Sequence, residues 1–196
     1  PQLIAIVLGG ALAIIAPSTA QPKFDHDYST YAHILSQFLV DGRVDYSNLV
    51  DNRDRLDSVV EEFSTVSRLT FSAWSREERL AYWINVYNLY TLRTIVDHYP
   101  IQGSWLSLYP FNSIQQIDGV WDTITWKAGG RIVTLDEIEH DILRPTFGEP
   151  LLHFAINCAA VSCPPLRNEP YRADTIETQL TDSTREALAK TNWLRL

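Results

Sequence analysis

The chain has 196 residues, 45% hydrophobic and 20% charged, with a formal net charge of −8. That length suits one domain with a single buried core. The negative balance and the lack of a Lys/Arg cluster argue against a nucleic-acid partner and against docking on an anionic membrane surface.

The first segment is "LIAIVLGGALAIIA", Leu3 to Ala16, an uncharged apolar run of 14 residues. A membrane-spanning helix needs roughly 20. The run fits the apolar core of a signal peptide, with Ser18, Thr19 and Ala20 as the small-residue cleavage site. Residues 1–20 are therefore expected to be a signal peptide and 21–196 a single periplasmic or secreted domain. An uncleaved anchor or a buried helix is the alternative. At the other end the chain stops at "TNWLRL", where a C-terminal strand or helix is expected to be missing.

Apolar residues at 31, 34, 35, 38 and 39 give Tyr28 to Val40 a helical period. "DGRVDYSNL" reads as a turn leading into a short extended piece. A second helix is expected over Arg53 to Phe63, on Leu56, Val59, Val60 and Phe63. The third is the strongest, Ser75 to His98, opened by a Ser75/Glu78 capping box and stopped by Pro100. Apolar side chains cover nearly every face from Leu80 to Val96, as in a helix buried on most sides. His98 suits the negative end of the helix dipole, and surface or packing roles suit His26 and His33.

Ile101 to Asn112 is expected to be a loop. "TITWKAGGRIVT" reads as a hairpin around Gly129 and Gly130. Thr134 and Glu137 form a second capping box, for a helix ending before Pro145. "LLHFAIN" reads as a strand, followed by an irregular loop and a last helix from about Asp174 to Lys190. The order predicts an α+β fold, a helix-rich N-terminal half packed on a small, mostly antiparallel sheet. No G-x-G-x-x-G, phosphate-loop or H-E-x-x-H motif is present.

Chemistry concentrates in "HFAINCAAVSCPPL", His153 to Leu166, which holds the only cysteines, Cys158 and Cys163. Strand alternation would put Leu152, Phe154, Ile156 and Cys158 on one face and His153 and Asn157 on the other. Cys163 would be the more accessible thiol and Cys158 the buried one. In the helix 135–144, Glu139 falls on the stripe of Leu135, Ile138 and Ile142, with Glu137, Asp141 and Arg144 pointing elsewhere. An inward carboxylate needs a partner or a proton, so Glu139 is a candidate to orient a histidine or to anchor an arginine or backbone amides. Asn85 and Asn88 share a face of the buried helix, suited to fixing an imidazole, binding an oxyanion or clamping loop backbone.

Three readings fit. A thiol hydrolase would use Cys163 or Cys158 as nucleophile, His153 or His140 as base, and Glu139 or Asn157 to orient it. A zinc site could use both cysteines with His140 and His153, although C-x4-C is at the edge of the usual spacing. In an oxidising compartment the cysteines could instead form a disulfide.

From about Tyr28 to Lys190 the chain resembles the bacterial branch of the domain of unknown function 547 family. The resemblance rests on "DGRVDYSNL", "AYWINVYNLYTL", "VTLDEIEHDILRP" and "HFAINCAAVSCPPLR". It places Asn85, Asn88, Glu139, His140, His153, Asn157, Cys158 and Cys163 in the family's signature blocks and implies no established activity. The sequence expectation is an exported cysteine-dependent hydrolase or acyltransferase acting on peptide or amide bonds. Its catalytic set would be Cys163, Cys158, His153, His140 and Glu139, with Asn85, Asn88 and Asn157 binding or orienting. The alternative is a non-catalytic extracytoplasmic binding module with a Cys158–Cys163 disulfide. Neither needs a cofactor or metal. The expected partner is a peptide or small molecule, without nucleic acid and without membrane insertion once the signal peptide is removed.

Overall fold

The computed structural model describes residues 23–40, 42–160 and 163–189. The expected signal peptide and the residues after Ala189 lie outside them. Seven α-helices are described: α1 Ser29–Phe38, α2 Tyr46–Asp51, α3 Arg53–Ser64, α4 Arg68–Ser72, α5 Arg76–His98, α6 Arg144–Phe147 and α7 Ile176–Ala189. The strands form two separate antiparallel hairpins, β1 Leu39–Val40 with β2 Arg43–Val44, and β3 Trp126–Ala128 with β4 Arg131–Val133. The fold is α+β, with the expected sheet reduced to these two ribbons.

The centre of the molecule is α5. Ser75 Oγ accepts the Glu78 N–H at 3.1 Å and Glu78 Oε2 accepts the Ser75 N–H at 2.7 Å, closing the capping box. Every residue from Leu80 to Leu92 is buried, because α2, α3 and the segment after β4 all pack on this helix. Its N-terminal half enters an aromatic cluster in which Tyr82 stacks on Phe63 at 5.6 Å between ring centroids. Phe24, Phe71 and Trp74 meet Tyr82 at tilted or edge-on angles, the geometry ring quadrupoles favour.

Tyr82 also joins three elements through its hydroxyl, which donates to the Phe63 carbonyl at 2.9 Å and accepts the Gly129 N–H at 2.9 Å. It thereby ties the end of α3 to the β3–β4 turn inside the core. That turn depends on its glycines: Gly129 and Gly130 have φ of 55° and 74°. A Cβ on Gly130 would stand 2.3 Å from the Arg68 backbone nitrogen at the start of α4.

Two local expectations are corrected. "LLHFAIN" is no strand: Leu152–Phe154 forms a single 3-10 turn. The buried residues are Leu152, Ala155 and Ile156, spaced as one helical turn and not in alternation. The helix expected over 135–144 does not end before Pro145. It widens into a π-helix over Glu137–Leu143 and runs on as α6 to Gly148, whose φ of 56° terminates it. Pro145 thus stands inside the run, directly after the π-helix. The short helices α2 and α4 carry no amphipathic period, only the caps Asp45 and Ser67.

His26 lies against Trp74 and Phe24, with ring centroids at 4.6 and 5.4 Å, and its Nδ1 is buried without a hydrogen-bond partner. Burial lowers its pKa below the ordinary 6.5, opposed by the Glu78 carboxylate 3.6 Å from Nε2.

Two outcomes are expected. Tyr82→Phe leaves the Gly129 N–H unpaired in the core and costs about 2 kcal/mol in urea unfolding. As pH falls below 6.5 the unfolded chain takes up the His26 proton first, so stability drops from there down to the lower folded pKa. His26→Gln should flatten this step in urea midpoints measured against pH. The limb governed by the lowered carboxylate of Glu169, which begins near 4.5, should be unchanged.

Candidate functional site

Two asparagines project from one face of α5, and each grips a separate stretch of irregular chain. Asn85 Nδ2 donates to the Tyr171 carbonyl at 2.8 Å and its Oδ1 accepts the Tyr171 N–H at 2.9 Å. Asn88 Nδ2 donates to the Ala155 carbonyl at 2.9 Å and its Oδ1 accepts the Asn157 N–H at 2.8 Å. Both amides are buried. Each side chain offers the donor and acceptor that a neighbouring strand would otherwise supply, so the expected role of clamping loop backbone is the geometry seen.

Asn157 extends the clamp into the cysteine loop. Its Nδ2 donates to the Pro164 carbonyl at 2.6 Å and its Oδ1 accepts the Ala159 N–H at 2.8 Å. Ala159 takes the left-handed conformation, φ 57°, and packs on a small cluster of Ile95, Ile114, Ile117 and Val120. Cys158 and Cys163 are joined by a disulfide, their Cα atoms 6.0 Å apart. Both are half-buried, so the expected contrast between an accessible Cys163 and a buried Cys158 is corrected: one bridge places both at the same depth.

The acidic candidate sits on the π-helix. Arg144 Nε donates to Glu139 Oε1 at 3.2 Å, and the guanidinium's NH2 group binds the same oxygen. Five residues apart, these side chains would diverge on an α-helix; the wider π turn aligns them. Arg144, expected to point elsewhere, is thus the arginine that Glu139 anchors. Tyr87 lies beside this pair, its hydroxyl pKa raised first by burial and then by the Glu139 carboxylate. His140 is exposed, with Nε2 3.6 Å from Asp136 Oδ1. His153 is exposed as well, its ring edge-on to Phe154 at 5.8 Å.

The structure therefore brings Asn88 of α5 to the loop that holds Asn157, Cys158 and Cys163, and pairs Glu139 with Arg144 in another unit. Among the described residues, no group of three or more His, Cys, Asp or Glu is placed to hold a metal ion. Two surface concavities lie elsewhere, one between α1 and α3 beside His33 and Arg55, the other along α7. None of the candidate residues lines either.

Residues 71–188 match the family model described as "Protein of unknown function, DUF547". The chain belongs to the DUF547 family. No curated protein and no solved structure matches it at a significant level. The match in this DUF547 chain spans α5, the π-helix, the disulfide loop and most of α7.

Sequence reasoning passed over Gln179, which completes the grip on the segment around Tyr171. Its Nε2 donates to the Pro170 carbonyl at 2.9 Å and its Oε1 accepts the Arg172 N–H at 2.9 Å. A signal was available: Gln179 and Ser183 interrupt the apolar stripe of Ile176, Leu180 and Ala187 at helical spacing, and a polar residue in such a stripe needs a partner. Removing the Asn88 clamp has a measurable cost. Asn88→Ala strands the Ala155 carbonyl and the Asn157 N–H, and should lower stability by about 2–3 kcal/mol. Limited proteolysis of the oxidised protein should then cut first in the 155–164 loop.

Proposed function

We propose that this DUF547 protein is a non-catalytic extracytoplasmic binding domain that presents the 155–164 loop to a peptide or small-molecule ligand. The observation that carries the reading is the Cys158–Cys163 disulfide on a loop held by Asn88 and Asn157. Catalysis by either sulfur needs a thiolate, and in the bridged state neither sulfur is one.

The bridge spans a sequence separation of 5, and closing so short a loop restrains the unfolded chain by only about 2 kcal/mol. A buried core of this size holds without that contribution. The disulfide's effect is local: it ties Cys163 to Cys158 on chain whose inner edge α5 already anchors. Rigid scaffolds carrying shaped loops are the usual platform for recognition, because ordering the loop beforehand lowers the entropy lost on binding. An oxidising compartment, as expected from the Leu3–Ala16 run, is where such a bridge persists.

Intact mass after alkylation tests the reading. Protein isolated without reductant should take up no alkylating agent until reduced, and Cys158→Ser/Cys163→Ser should unfold cooperatively with a loss near 2 kcal/mol. Two thiols alkylated at neutral pH without reductant, together with amide hydrolysis lost on Cys163→Ser, would overturn it in favour of the thiol hydrolase with His153 or His140 as base.

A further inference from the structure

From Tyr99 to Ile117 the sequence contains no charged residue and no histidine. Within that stretch, Trp105, Leu106, Leu108, Tyr109 and Phe111 are all exposed. Leu108 is 101% and Trp105 84% accessible, so these side chains project from the surface. An apolar cluster of this size on a soluble domain marks contact with a partner or a lipid surface.

The loop is built, and part of its backbone is paired from within. The Gly103 N–H donates to the Phe111 carbonyl at 2.9 Å, closing the base, and the Ser107 N–H donates to the Ser104 carbonyl at 3.1 Å. Ser104 and Ser107 hydroxyls accept the N–H groups of Leu106 and Tyr109, both at 3.2 Å. Gln116 reaches up from below: Oε1 accepts the Ser104 N–H at 3.3 Å. Its Nε2 lies 3.0 Å from the Tyr109 carbonyl and 3.4 Å from those of Ser104 and Pro110. A Cβ on Gly103 would stand 2.4 Å from Gln116 Cδ, so the glycine is what admits the glutamine. Ile114 and Ile117 then root the loop on Ile95 of α5.

We propose that the Gly103–Phe111 loop seats in the interface of a zwitterionic lipid bilayer, with Leu106 and Leu108 in the acyl region and Trp105 and Tyr109 at headgroup depth. Composition and charge favour lipid over a protein partner. Gln116 and the two serines pair only part of the loop's backbone, so the apolar side chains enter while the peptide groups stay at headgroup depth, where they can still be hydrated. Mixed aromatic and aliphatic side chains without charge are the composition of membrane-interface anchors. The net charge of −8 makes a neutral surface the fitting one. No helix among the described residues is long and apolar enough to cross a membrane. The lipid contact is independent of the binding-domain reading and departs from the sequence expectation of no membrane insertion once the signal peptide is removed.

The test is sedimentation of the full chain with sucrose-loaded phosphatidylcholine vesicles. Binding should persist in high salt and weaken when anionic phosphatidylglycerol is added. Leu106→Ser/Leu108→Ser should lower the partition coefficient at least about tenfold, and Trp105→Ser should lower it in the same direction. Leu69→Ser, at another exposed leucine, should leave it unchanged. Failure of the unsubstituted chain to sediment would overturn the proposal, as would equal sedimentation of the double variant. Light scattering that shows a dimer abolished by the same double variant would overturn it too, making the loop a contact between copies of this chain.

Discussion

A helix buried on nearly all sides forces a problem on whatever packs around it. The chain that covers the α5 face bearing Asn85 and Asn88 is irregular, yet its peptide groups are cut off from water and must be paired. Primary amides solve this, because one side chain presents a donor and an acceptor side by side, as a peptide group does. Asn85 and Gln179 between them hold Pro170, Tyr171 and Arg172. Asn88 holds Ala155 and Asn157. An aspartate could not donate, and a serine could not reach both groups. The residue type follows from the geometry.

This arrangement explains how a molecule with two small hairpins can present ordered loops. Stability comes from apolar burial around α5 and from the aromatic cluster on Tyr82; order comes from amides that over-determine a few backbone positions. The disulfide then acts on chain that is already anchored at its inner edge. Gln116 applies the same device at the surface, pairing part of the backbone of a loop whose side chains face outward.

The long helices were legible because α1, α3 and α7 bury residues at a helical period and α5 is an unbroken apolar run with a capping box at its start. The Ser75 capping box and the Gly129-Gly130 turn stand where the sequence puts them. The failures share a cause. "LLHFAIN" has the β-compatible look of alternating side chains, but no strand among the described residues pairs with it, and an asparagine 67 residues earlier takes the Ala155 carbonyl. The pairing of Glu139 with Arg144 was hidden because a reader assigns α-helical phase by default. At the site, the sequence identified which residues carry polar chemistry. Which atom meets which was decided by tertiary contacts across 67 to 86 residues, and no local pattern records those.

The π-helix sets a constraint on length that has nothing to do with residue identity. Each of its hydrogen-bonded rings encloses one residue more than an α turn, so Glu137–Leu143 carries a one-residue surplus. Deleting any single residue there would let the segment relax into ordinary α-helix. Because the wide turn already absorbs that residue, everything downstream would keep nearly the same phase around the axis. A deletion between Glu139 and Arg144 would leave them four apart, a spacing that still pairs on an α-helix. A second deletion would have no surplus to draw on and would turn the chain beyond by about 100°, so the segment between Thr134 and Gly148 holds one residue of slack for the loop that follows.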